Sequence, residues 1–152
     1  MASGKFFLYT TAIRNILAGH IDLDGANIYA IPLHRGYTPS TASDSAVAQV
    51  LGFQSTASGT IVNQIALSGL NVTGSGAVAV KFDANDIAGF SSDGDTFDCK
   101  YIALWASASA AGVDNLLIGF YDTNVGVTTG VEGTQVNVTW PAGGIFKVDG
   151  NQ

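Results

Sequence analysis

The chain has 152 residues, 47% hydrophobic and only 12% charged, with 12 acidic against 6 basic side chains and a net charge of −6. Six scattered Lys and Arg make no basic patch, which argues against binding to a nucleic-acid backbone or an anionic membrane surface. A single cysteine, Cys99, excludes an intramolecular disulfide, and a chain of this size buries enough surface to fold without bridges or metal.

Phe6-Phe7-Leu8-Tyr9 superficially suggests a signal sequence, but Thr10, Thr11 and Arg14 interrupt the apolar run and no A-x-A cleavage pattern follows. No stretch approaches the roughly 20 apolar residues that span a bilayer as a helix. The spacing instead predicts one helix over Lys5 to Ala18, with Leu8, Ile13, Ile16 and Leu17 on a stripe and Gly19 as the C-terminal stop. From Ile21 the period changes to two. Asn27 to Leu33 reads as a strand with Ile28 and Ala30 on one face and Tyr29, Ile31 and Leu33 on the other. Pro32 marks that strand as an edge or an end.

Residues 36–45 read as a loop, and Ile61 to Leu67 as a strand. Gly74-Ser75-Gly76 signals a hairpin turn ahead of Val78, Val80 and Phe82. Cys99 to Trp105 and Leu116 to Tyr121 are apolar on both faces and so belong at the centre, with a small-residue loop expected between them over Ser107 to Asp114. Thr134 to Trp140 alternates most clearly, with Val136, Val138 and Trp140 inward, and Ile145 to Val148 forms the last strand. About eight short strands without helices between them predict a mainly β chain, an antiparallel β-sandwich or jelly-roll-like barrel with one short N-terminal helix. The expected division is an N-terminal segment over 1–20 and a single β-domain over 21–152.

The residues give no catalytic constellation. His20 and His34 stand apart, there is no G-x-S-x-G, and the glycines at 126, 130 and 133 form no phosphate-binding loop. Zinc would need Cys and His at short spacing, which the chain lacks. Asp22/Asp24, Asp83/Asn85/Asp86 and Asp93/Asp95/Asp98 are partial calcium donor sets without the EF-hand spacing, and their residue types are also those of ordinary turns. The expectation is no enzyme activity, no cofactor and no metal. Tyr37, Phe53 and Phe90 are the aromatics that a carbohydrate site on a β-sandwich would draw on, with core or subunit contacts as their other reading.

Several phrases occur in order along the chain: Gly19-His20-Ile21-Asp22-Leu23-Asp24, Val80-Lys81-Phe82-Asp83-Ala84-Asn85-Asp86, Lys100-Tyr101-Ile102-Ala103-Leu104-Trp105, Leu117-Ile118-Gly119-Phe120-Tyr121-Asp122, Val138-Thr139-Trp140 and Gly143-Gly144-Ile145-Phe146. In this order they resemble a group of small bacteriophage virion structural proteins of the capsid decoration (cement) type, over most of the chain apart from residues 36–59. The resemblance implies a non-enzymatic protein on the capsid surface of the virion, assembled in the host cytoplasm and bound to the major capsid protein. Symmetry at local three-fold positions adds the expectation of a homotrimer. Phe6, Phe7 and Tyr9 are the expected contact residues, as aromatics outside the β-fold. The alternatives are a low-copy tail, neck or fibre protein, or a carbohydrate-binding β-sandwich.

Overall fold

The two segments apolar on both faces do form the centre. In the computed structural model, which describes residues 5–54, 64–75, 79–91, 97–129 and 135–149, they are the long strands β7 (Phe97–Ala110) and β8 (Val113–Thr129). The other elements are β1 (Lys5–Leu8), α1 (Thr10–Leu17), β2 (Ile28–Leu33), β3 (Ile65–Ala66), β4 (Asn71–Ser75), β5 (Ala79–Asp83), β6 (Ile87–Ser91), β9 (Gln135–Val138) and β10 (Phe146–Asp149). Two short 3-10 turns, Val47–Gln49 and Leu51–Phe53, occupy the stretch before residue 54.

Every strand pair is antiparallel. One sheet has five strands in the order β1-β8-β7-β2-β3, a second has three in the order β10-β5-β4, and β6 pairs with β9. The chain is thus mainly β, an antiparallel sandwich with one short N-terminal helix, and among the described residues its sheets stay open rather than closing into a barrel.

Alternation along the central strands feeds two cores. Ile28, Ala30, Ile102, Leu104 and Ile118 meet Phe82, Ile87, Trp140 and Ile145 on one side of the five-stranded sheet. Ile31, Leu33, Ala103, Trp105, Leu117 and Phe120 meet Tyr9, Ala12, Tyr37, Val47 and Val50 on the other. Each fully buried side chain of this size contributes roughly 1.5–3 kcal/mol. β2 has the two faces expected of it. It lies inside the sheet rather than at its edge, between β7 and β3. Leu67 N–H donates to Ile28 O and His34 N–H to Phe53 O, so the even-numbered residues of β2 turn their backbone groups away from β7. The Pro32 nitrogen therefore points away from β7, and its missing N–H breaks no bond of the β2–β7 ladder.

The N-terminal expectation needs correction. Lys5–Leu8 is a strand paired with β8, and the helix begins only at Thr10, after an extended Tyr9. Three consecutive apolar residues, Phe6 to Leu8, suit a strand with a core on each face, and pairing with β8 supplies hydrogen bonds that a helix turn there would forgo. Strand β1, Tyr9 and helix α1 are accordingly part of the sheet and the cores. The helical stripe is also reassigned: Ala12 and Asn15 face inward, whereas Ile13 is 45% and Leu17 83% exposed. The stop at Gly19 holds. Gly19 has φ +77, with its N–H on Ile16 O and that of His20 on Asn15 O, the double bond pattern of a Schellman turn.

Irregularities in the central ladder explain other departures. The register shifts between Cys99 and Tyr101, so Cys99 joins the first core while Tyr101 packs against the second. The expected loop over Ser107 to Asp114 is strand almost throughout, closed by a tight turn at Ala111 and Gly112, both at positive φ. β6 lies within the acid-rich stretch, β4 includes Gly74 and Ser75, and of the strand expected over Ile61 to Leu67 residues 61–63 fall outside the described residues.

Candidate interaction surface

Tyr9 joins the N-terminal elements to the rest of the fold. It is fully buried, its N–H donates to Ile118 O, and its ring lies 5.6 Å from that of Phe120. Its hydroxyl meets the Tyr37 hydroxyl at 2.7 Å, and Tyr37 in turn donates to Asp44 Oδ2 at 2.6 Å. The same carboxylate oxygen accepts Ser40 N–H at 2.9 Å, while Asp44 O accepts from Thr11 Oγ1 and Thr41 O from Thr10 N–H. Loop 36–45 is thereby fastened to the first turn of α1. Burial pushes both phenols above the ordinary tyrosine value, and for Tyr37 donation to the Asp44 carboxylate adds to the rise.

Phe6 and Phe7 are half buried on opposite faces of β1. The Phe6 ring stacks on Phe146 at 5.3 Å, bridging the two sheets, and Phe7 stacks on Phe120 at 5.2 Å with Lys5 Nζ over its ring. The picture of Phe6, Phe7 and Tyr9 as aromatics outside the β-fold is therefore corrected. An edge strand needs both faces covered, and here they are covered by the chain itself. Tyr9 presents no surface to a partner; Phe6 and Phe7 present part of theirs.

Large apolar side chains in solvent occur elsewhere. Ile13 and Leu17, four residues apart on α1, form one patch. Val80 and Val148 form the other: they face each other across β5 and β10, on the side of Phe82 and Phe146 but beyond the core, at 49% and 58% exposure. Neither patch was legible as such, because exposure depends on what the other elements cover.

The acidic clusters have structural roles. Asp86 Oδ1 accepts Trp140 N–H at 2.9 Å, Asn85 O accepts the Trp140 indole N–H at 3.1 Å, and Asp83 pairs with Lys81 at 3.1 Å. A hydrogen bond between the Asp22 and Asp24 carboxyls holds Asp22 below and Asp24 above the usual carboxylate range. Asp93 and Asp95 lie outside the described residues, and among the described residues no group of three His, Cys, Asp or Glu side chains is placed to hold a metal ion.

Tyr37 and Phe53 do come together, at 5.4 Å, but Tyr37 is buried against Tyr101 and forms part of the second core. His34 Nδ1 accepts Gly36 N–H at 2.9 Å, and Cys99 is buried. Both side-chain amide atoms of Gln54, the Gln64 carbonyl oxygen and the Trp105 indole nitrogen are buried without a hydrogen-bond partner among the described residues. Comparison with protein-family models, curated proteins and solved structures gives no match to this chain.

Proposed function

We propose that the chain is a bacteriophage capsid decoration (cement) protein that acts by docking on the outer surface of the head and stabilising it. The observation that carries this reading is the Ile13–Leu17 pair, two large apolar side chains kept in solvent on a helix held in place by β1, the Gly19 turn and the Asp44 loop. A helix so constrained loses little entropy on docking, and its apolar pair gains by being covered. The low charge and β-rich architecture suit burial of broad, weakly hydrated surface, and the resemblance to small virion proteins implies the major capsid protein as partner and the virion surface as location. A tail, neck or fibre position is the other reading on the same resemblance. No observation favours a carbohydrate site, since Tyr37 is buried.

Quantitative mass spectrometry of purified particles against the major capsid protein tests the proposal. A copy number approaching that of the shell subunit supports decoration. A few copies per particle moves the protein to the tail or neck, and its absence from particles overturns the virion reading.

A further inference from the structure

We infer that β1 is a self-pairing edge, through which two copies of the chain join their five-stranded sheets across a two-fold axis. β1 ends its sheet, and its register with β8 determines which backbone groups are in use. Tyr9 N–H donates to Ile118 O, so in an antiparallel ladder Tyr9, Phe7 and Lys5 direct their N–H and C=O toward β8. Phe6 and Leu8 direct theirs the other way, and among the described residues those four groups meet no partner.

The four groups complement a second copy of themselves. Around a two-fold axis perpendicular to the sheet, antiparallel strands pair residues of equal parity, so that partners lie on the same face. Setting Phe7 opposite Phe7 of the second copy places Phe6 opposite Leu8 and Leu8 opposite Phe6. Both are then hydrogen-bonded pairs, and all four outward groups of each strand are used in four bonds. Shifting the register two residues either way leaves Phe6 or Leu8 without its counterpart within β1. Side chains agree with this alignment. Phe7 meets Phe7 at the closer, non-bonded spacing that favours cross-strand aromatic pairs, on the second-core face, and Phe6 meets Leu8 on the other. The half-exposed surface of all three residues is what such a seam would cover. Donors and acceptors are matched across it, and its one ionic side chain per copy, Lys5, is opposite in sign to a chain of net charge −6. An isologous pair also closes on itself, whereas an open edge otherwise invites unlimited strand addition.

The isolated protein tests this without any particle, so its failure is distinct from failure of the decoration reading. Light scattering or native mass spectrometry over a concentration series is expected to show twice the 15.6 kDa chain mass, dissociating on dilution. Leu8→Pro removes an outward N–H that serves no internal bond. It deletes two of the four interfacial hydrogen bonds and weakens association roughly 25-fold, about fivefold for each bond. Hydrogen exchange on the unaltered protein gives a readout independent of that variant's folding: the Phe6 and Leu8 amides should gain protection as concentration rises, while the Lys5 and Phe7 amides stay protected throughout. A protein that remains monomeric at high concentration, a trimer, or concentration-independent exchange at Phe6 and Leu8 overturns the inference.

Discussion

Ala111 sits at φ 51 in the β7–β8 turn, a left-handed conformation in which its Cβ crowds the following carbonyl. Ala111→Gly relieves that crowding and is expected to raise stability by about 1 kcal/mol, roughly 2–4 °C in Tm for a chain of this length, read by thermal melting. Gly119 is the opposite case. A Cβ there would collide with Phe7 O and lie 2.6 Å from the Phe6 ring, so β1 approaches β8 only because the side chain is missing. Gly119→Ala should cost about 1–3 kcal/mol in a denaturant titration; an unchanged midpoint would contradict the β1–β8 packing. Neither position is remarkable in the sequence. Ala111 lies in a run of small residues and Gly119 in an apolar one, and each acquires its meaning from a neighbour brought in by folding. Gly19 is the contrast, because its role as a helix stop depends on the turn just before it.

Among elements, the N-terminal strand and helix depend on the Tyr9–Tyr37–Asp44 chain. Both phenols keep their protons to higher pH in the folded protein than in the unfolded one. The corresponding stability is fully present below about pH 10, the unfolded tyrosine value. It declines as pH rises further, because only the unfolded state ionises there. With two such groups the expected slope is about 2.7 kcal/mol per pH unit above pH 10, and Tyr37→Phe should remove about half of it. Urea titrations from pH 9 to 11.5 would show this; equal slopes in the two proteins would exclude Tyr37 as a source. Removal of residues 2–9 takes away β1 and the buried Tyr9 together. It should destabilise the fold by more than about 3 kcal/mol, so loss of any binding activity in that truncation would not identify a contact surface. Helix existence, its stop and the faces of β2 were legible because each depends on residues a turn or two away. The strand at Lys5–Leu8 was not, since its partner β8 lies far along the chain, and the same apolar residues Phe6, Phe7 and Leu8 satisfy a helix or a strand locally.

For the whole molecule, the decoration reading predicts that the solvent-facing apolar pair of α1 matters for docking and not for folding. Ile13→Lys with Leu17→Lys should leave the melting curve within about 0.5 kcal/mol of the parent, because both side chains lie in solvent and lysine is a good helix former that suits the last turn of a helix. The same pair should abolish co-sedimentation with heads, whereas full retention would remove α1 from the docking surface. Composition and period-two alternation by themselves determined that the chain is mainly β and antiparallel, a sandwich or a barrel, with the segments of β7 and β8 at its centre and with Trp140 and Cys99 interior. These follow from which side chains avoid water and at what spacing, properties each short segment carries alone. Tertiary structure decided the rest: which apolar residues remain outside, where bulges reverse a face, how the acidic stretches are tied to Trp140 and Lys81, and which edge is left open. Exposure, register and hydrogen-bond partnership are relations between segments distant in the chain, and packing assigns them only when those segments meet.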